Sequence, residues 1–390
     1  LLVRYGRDEA GRAVMKALVY SREEHGIPKR LVEREAVRII ERLKASGYEA
    51  YIVGGAVRDL LVGRRPKDFD IVTDAIPNVI KKIFWNSRII GRRFRLVHVF
   101  FEDRIYEVCT FRSIKEGTIG NSYGTIEEDV MRRDFSLNAL YYDPLSETLV
   151  DFVHGFSDIK KRVIKPVIPL QSIFVEDPVR MLRAVKYAAV TGFKLPLLVR
   201  LKIRRQARLL DPISPSRLSE ELFKILKSGY ARAILLSLES YGLLESILPE
   251  LSRLLKSDKA FSSVFSASME KLDQAVAERG EKRLGRQMAF LLEPYCDRIV
   301  DWSQDGHENY KEALKALRSF VLPVNPPRVE LEAAVRAIFR NHGLSLTRKP
   351  LAPAERPPEE ALEPQEVKKR KRRRRRGKRK PEAGPAEAGA

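Results

Sequence analysis

Val53-Gly-Gly-Ala-Val-Arg-Asp-Leu-Leu-Val-Gly63, followed by Pro66-Lys-Asp-Phe-Asp-Ile71, is the stretch on which the reading of this chain turns. A short apolar strand, Tyr48-Glu-Ala-Tyr-Ile-Val53, runs into Gly54-Gly55, and Ala56 to Val62 then reads as a helix ending at Gly63. Glycine lets a backbone approach a phosphate closely, and a helix N-terminus offers free N–H groups and the positive end of a dipole. Arg58 lies about one turn into that helix, within reach of the same anion. A Gly-Gly pair alone is most often only a tight turn. The Asp-x-Asp thirteen residues further on changes its weight. Asp68 and Asp70 flank Phe69, and on a strand positions i and i+2 share a face. The two carboxylates then converge while Phe69 and Ile71 enter the core. Like charges that close are unfavourable without a cation, and an oxygen pair that leaves room for substrate phosphates suits Mg²⁺.

Two-metal phosphoryl transfer usually takes a third acidic ligand from a neighbouring strand. Glu107, a lone acid in Ile105-Tyr-Glu-Val-Cys-Thr-Phe111, is one candidate. Asp134, in Arg132-Arg-Asp-Phe-Ser-Leu-Asn-Ala-Leu140, is the other. Its setting, before a helical stretch with Asn138 one turn on, also reads as a nucleotide contact. Further along stands Glu176-Asp-Pro-Val-Arg-Met-Leu-Arg183. Asp177 suits an N-cap and Pro178 a first helical position, which places Arg180 and Arg183 near the helix start. An Asp–Arg pair does more than cap. Adenine and cytosine each offer an amino donor beside a ring-nitrogen acceptor, and a carboxylate with a guanidinium matches that order. Guanine and uracil present the opposite order. His98 and His154 read as structural histidines.

Around these motifs the chain divides by character. Residues 1–34 are polar and weakly periodic and read as an extension. Residues 35–165 alternate strand and helix signals, including strands near 94–101 and 104–111 and a Gly/Ser/Thr-rich loop at 113–126. After Pro169 the periodicity is helical throughout, with no fixed repeat. From about Arg348 the chain is rich in Pro, Glu, Lys and Arg without aromatics, and such a composition cannot bury a core. The whole chain of 390 residues carries a net charge of +21. Residues 368–380 hold twelve Lys or Arg in thirteen positions, and subtracting those twelve leaves +9 for the rest. A basic balance of this kind favours a polyanionic partner. The two cysteines, Cys109 and Cys296, make neither a disulfide framework nor a zinc pattern and suit a reducing cytoplasm. No apolar run approaches the ~18 residues of a membrane span, and the N-terminus lacks a secretory signature.

Taken together, the ordered motifs over about 35–250 resemble the class II nucleotidyltransferases, the bacterial poly(A) polymerases and CCA-adding enzymes of the DNA polymerase β superfamily. The resemblance implies an α+β fold: a polymerase-β-like head with a mixed sheet at 35–165, an all-helical neck at 166–225 and body at 226–347, and a disordered basic tail at 348–390. It implies that Asp68 and Asp70 carry two Mg²⁺ ions. It also implies that Gly55 and Arg58 meet the triphosphate, that Arg133 and Asp134 meet the nucleotide, and that Asp177 and Arg180 read the base; Gly54, Arg132, Asn138 and Arg183, in the same motifs, are further nucleotide-binding candidates. Asp134 is the family's usual third active-site aspartate, while strand geometry favours Glu107 as the third metal ligand. Ile89-Ile-Gly-Arg-Arg-Phe-Arg-Leu-Val-His-Val99 and Lys67-Asp-Phe-Asp-Ile-Val-Thr-Asp-Ala-Ile-Pro77 are similar to the poly(A) polymerase branch, as is the basic tail. The expected partners are ATP and RNA 3′ ends, with RNA-degradation or RNA-chaperone proteins as further candidates and no membrane. The short loop between Phe111 and Glu127 keeps CCA addition to tRNA as the alternative. A non-catalytic RNA-binding protein is the remaining reading, and the full carboxylate set argues against it.

Overall fold

The computed structural model describes residues 2–7, 12–91, 95–102, 104–114, 122–303 and 306–344. Its head is built on nine strands: β1 (Leu2–Arg7), β2 (Ala13–Tyr20), β3 (Ala50–Val53), β4 (Asp70–Thr73), β5 (Ser87–Ile90), β6 (Leu96–Phe101), β7 (Arg104–Thr110), β8 (Leu140–Asp143) and β9 (Thr148–Asp151). They form one sheet in the order β1-β2-β9-β8-β3-β4-β7-β6-β5. Every pairing is antiparallel except β4 with β7, so the sheet is mixed. The central strands β3 and β8 are buried along their whole length, as their continuous apolar sequences require. The Arg34–Ala45 helix repeats apolar residues at helical spacing, and its Ala36, Ile39, Ile40 and Leu43 are fully buried.

Three features depart from the sequence reading. The stretch read as an extension supplies β1 and β2, and β2 pairs with β9, so residues 2–20 widen the head sheet. The segment after Asp134 is no full helix. Ser136–Asn138 is one 3₁₀ turn leading into β8, whose Leu-Tyr-Tyr core favours a strand. Finally, β4 begins at Asp70, so Asp68 lies outside it. The reason is its neighbour. Val53, the last residue of β3, pairs with Asp70, and the chain then turns away at Gly54 with φ +70° and ψ −135°, a conformation only glycine adopts readily.

Beyond Asp151 every described element is helical apart from isolated bridges. The helices that matter most for the site are Val179–Thr191 and Pro215–Leu226. One apolar cluster runs from Ile27 in the head to Phe339 in the last helix, so the change of secondary structure near residue 165 is not a break in packing. Among the described residues no helix is long and apolar enough to cross a membrane. The disordered tail expected at 348–390, and part of the 113–126 loop, lie outside the described residues.

Candidate active site

The parallel pairing of β4 with β7 sets Asp70 directly opposite Glu107. Both carboxylates face a cleft of about 660 Å³ between the sheet and the Val179–Thr191 helix. The cleft walls displace water from Asp70, and Glu107 adds like-charge repulsion. Asp68 adds a little more. The nearby Arg133 opposes these effects without cancelling them, and the Asp70 carboxyl is pushed up to about 6. A carboxylate pair that resists shared ionisation is the donor set a divalent cation relieves. Among the described residues no three acidic, histidine or cysteine side chains gather as a ready-made cage. Two carboxylates still fit Mg²⁺, which takes one or two protein carboxylates and fills its shell from water and substrate phosphates. Glu107 also faces His98, with Nε2 3.6 Å from Oε1.

Of the thirteen residues singled out in the sequence, the cleft is lined by twelve: Gly54, Gly55, Arg58, Asp70, Glu107, Arg132, Arg133, Asp134, Asn138, Asp177, Arg180 and Arg183. Asp68 is the exception, exposed beside the strand start. At the Gly54-Gly55 turn, a Cβ on Gly54 would stand 3.7 Å from Asp70 Oδ2, so the backbone there lies beside that carboxylate. Arg58 follows on the Gly55–Leu61 helix. It donates from Nε to Asp59 (2.9 Å) and from Nη1 to Asn138 Oδ1 (3.0 Å). Its guanidinium also lies over the Tyr187 ring, 5.6 Å from the centroid. Arg58 is therefore buried, aimed and held from three sides.

The paired arginines differ in their settings. Arg133 donates to Asp129 (2.9 and 3.2 Å), to Tyr141 Oη (3.0 Å) and to the Asn138 carbonyl (3.2 Å). Burial alone would lower its pKa, but Tyr141 and Asp129 outweigh burial and keep it firmly protonated. Arg132 donates to the Ser113 carbonyl (3.1 Å). Burial and then the neighbouring Arg112 push its pKa down to about 10. Crowded cations of this kind favour an anion in the cleft. Asp134 accepts from its neighbour Phe135 N–H (2.8 Å) and stands 3.8 Å from Arg183 Nη1 of the helical wall.

On that helical wall Asp177 accepts the Val179 N–H (3.2 Å), as a capping residue does. Its carboxylate is also gripped by Arg217, at 2.9 and 2.8 Å to the two oxygens. Arg180 instead donates to the Ile173 carbonyl (3.1 Å) and to Glu176 (3.4 Å). The two residues read as a pair thus stand side by side in the cleft, each anchored elsewhere. Arg183 bonds Glu221 (3.2 Å), which also accepts from Lys186 (2.8 Å) and Lys224 (3.1 Å). Sequence reasoning missed Arg112, Tyr187 and Arg217. Arg112 and Tyr187 could have been found, since one lies two residues beyond the Glu107 strand and the other one turn beyond Arg183. Arg217 is 40 residues from its partner and left no local signal.

Comparison with known proteins covers much of the same chain. A family model described as the poly A polymerase head domain matches residues 50–165. A second, described as a probable RNA and SrmB-binding site of polymerase A, matches residues 192–255. The chain is 39% identical to poly(A) polymerase I of Escherichia coli O6:H1, over 80% of this chain and 72% of that protein. It is 38% identical to the CCA-adding enzyme of Geobacillus thermodenitrificans, over 56% of this chain and 55% of that one. The crystal structure of the Bacillus stearothermophilus CCA-adding enzyme in complex with CTP superposes with a TM-score of 0.54 at 27% identity, covering 79% of this chain and 82% of the other. With a mixed-sheet head, a helical second half and this extent of likeness, the chain belongs to the family of poly(A) polymerases and CCA-adding enzymes, and it is a nucleotidyltransferase.

Proposed function

We propose that this cleft adds AMP from ATP to the 3′ end of RNA without a template. The observation that carries the reading is the Asp70–Glu107 pair on adjacent strands, at one end of a cleft lined by six arginines. The likeness to poly(A) polymerase I over 80% of the chain, against 56% for the CCA-adding enzyme, supports AMP as the product unit. Residues 35–165 carry the chemistry in this reading, 166–225 the nucleotide contacts, and 226–347 with the basic tail the RNA. The two free cysteines suit a cytoplasmic setting.

In the reaction the RNA 3′ oxygen attacks the α-phosphorus of ATP in line, the bond to the bridging oxygen breaks, and pyrophosphate leaves. Mg²⁺ ions, held by Asp70 and Glu107 with Asp68 at the margin, would lower the pKa of the attacking hydroxyl and offset charge on the triphosphate. The chain's own groups do the rest. The Gly54-Gly55 backbone admits the phosphates closely, and Arg58 meets their charge from a fixed position. Arg132 and Arg112 add positive potential where pyrophosphate charge develops. Asp177 and Arg180 present an acceptor and a donor to the base edge, an order that accepts adenine and cytosine and leaves guanine and uracil with unpaired groups. Asp134 and Asn138 border the space between phosphates and base, where the ribose lies. Glu107 is the third metal ligand in this reading, supported by its place opposite Asp70, and Asp134 is the alternative.

Two variants test the assignment by AMP incorporation into an RNA primer. Asp70→Asn abolishes turnover at saturating ATP, while Arg58→Ala raises KM for ATP more than it lowers kcat. Retention by Asp70→Asn of more than about a tenth of the rate, an effect of at most ~1.4 kcal/mol, overturns the assignment of the chemistry to this cleft.

A further inference from the structure

Away from the cleft, the helical half carries a second cavity of about 1020 Å³. It lies between the Gly306–Phe320 helix, the segment 322–327 and the start of the Pro215–Leu226 helix. Its floor is apolar, from Leu314, Val321, Val324 and Leu331, and its rim is basic. Lys311, Lys315 and Arg318 stand at i, i+4 and i+7, hence on one ridge of their helix. All three are exposed. Among the described residues no carboxylate lines the cavity. Among the described residues none of the three cations has an ion-pair partner, whereas Arg328 on the same rim is taken by Glu332 at 2.7 Å. Three like charges on one ridge repel each other, and a polyanion laid along them removes that cost.

Two contacts tie this cavity to the cleft. The Asn325 N–H donates to Ser219 Oγ (3.0 Å), fixing the 322–327 segment on the Pro215–Leu226 helix. Arg217, on that same helix, holds Asp177. Pro215 lines the cavity and lies two residues from Arg217, about 3 Å of helix rise. The Pro215–Leu226 helix therefore borders both the cleft residue Asp177, through Arg217, and the cavity, through Pro215 and Ser219.

We propose that this cavity binds single-stranded RNA, taking the nucleotides immediately upstream of the 3′ end that the cleft holds. The ridge meets backbone phosphates, and the apolar floor with Pro323, Pro326 and Pro327 meets base faces. Base edges find few hydrogen-bonding groups there, so the site discriminates little between sequences. This inference rests on the cleft being the site of nucleotide addition. Its test uses binding without nucleotide or metal, so that the two ideas fail separately.

The test compares the full chain with two triple variants of equal charge change, by fluorescence anisotropy on labelled single-stranded RNA of about 20 nucleotides across a salt series. One is K311E/K315E/R318E. The other, K259E/K271E/K282E, alters three exposed lysines outside the cavity. The ridge variant loses at least ~10-fold more affinity than the control at ~0.1 M salt, and its log–log salt slope flattens by ~2, three contacts at about 0.7 each. Alanine at the same three ridge positions gives an intermediate loss, and circular dichroism checks that all variants stay folded. Equal losses in the two glutamate variants overturn the proposal, because they mark a general field effect. So does displacement of RNA from the unaltered protein by polyglutamate as readily as by unlabelled RNA, which marks a groove for an acidic protein.

Discussion

Glu221→Gln tests how the helical wall of the cleft is fixed. Glu221 is buried, with its side chain only 3% exposed, and takes hydrogen bonds from Arg183, Lys186 and Lys224. Burial alone would raise its pKa, but Lys186, Arg183 and Lys224 outweigh burial and bring it from 4.5 to about 2. A fall of that size corresponds to about 3 kcal/mol of folded-state preference for the charged form, at 1.36 kcal/mol per unit. Lys224 is 53% exposed and adds little, so Lys186 and Arg183 carry most of it. The glutamine variant keeps the shape and loses the charge, leaving two half-buried cations without their shared carboxylate. Its stability at pH 7 falls by about 3 kcal/mol, read from denaturant unfolding as a lower midpoint at unchanged slope. The sign of the pH dependence follows from the lowered pKa. The native protein holds its advantage above about 4.5 and loses it as pH falls towards about 2. The gap between the two proteins therefore narrows below pH 4.5. A variant as stable as the native chain at pH 7, or a gap that stays constant down through pH 3, refutes the reasoning.

Other expectations follow from individual contacts. Glu107→Gln raises the Mg²⁺ concentration needed for half-maximal rate, whereas Asp134→Asn raises KM for ATP at saturating Mg²⁺; a metal titration giving the reverse pattern transfers the ligand role to Asp134. The Mg²⁺ requirement of the unaltered protein climbs as pH drops below about 6, because a proton then competes for Asp70. Arg217→Ala frees the Asp177 carboxylate and costs ATP-over-GTP selectivity more than it costs kcat; unchanged selectivity would mean that Asp177 does not read the base. Burial pushes the thiols of Cys109 and Cys296 up to about 12, so at pH 8 neither reacts with iodoacetamide in the native chain on the timescale of glutathione.

The parts of the site legible in the sequence were those written locally. Gly54-Gly55, Arg58 and Asp70 sit within one strand–turn–helix–strand unit, where spacing alone fixes which groups meet. Glu107 was legible because a lone acid on an otherwise apolar strand needs a reason, and the β4–β7 register supplies one. What escaped depends on tertiary register. Asp68 shares the Asp-x-Asp period, but β3 ends at Val53, and without that partner the strand does not extend back to it. The partners of Asp177 and Arg183, namely Arg217 and Glu221, come from a helix some 40 residues away. Residues 2–20 carried too little periodicity to betray a hairpin, because β1 is an edge strand with one neighbour and exposes Leu2 and Tyr5. The stretch around Asn138 misled in the other direction. Its apolar spacing fits a helix, but only Ser136–Asn138 turns, as one 3₁₀ turn, before the β8 pairing with β3 and β9 takes the chain from Leu140 on as strand.

The central claim, that this cleft adds AMP repeatedly to RNA ends, is tested most directly by offering the purified protein one RNA primer and each labelled nucleotide in turn, with Mg²⁺. The account predicts long homopolymer extension from ATP, little incorporation from GTP or UTP, and complete loss of extension in the Asp70→Asn variant. Preferred use of CTP, with products on tRNA lacking its terminus that stop after about three additions, would contradict it and make the chain a CCA-adding enzyme.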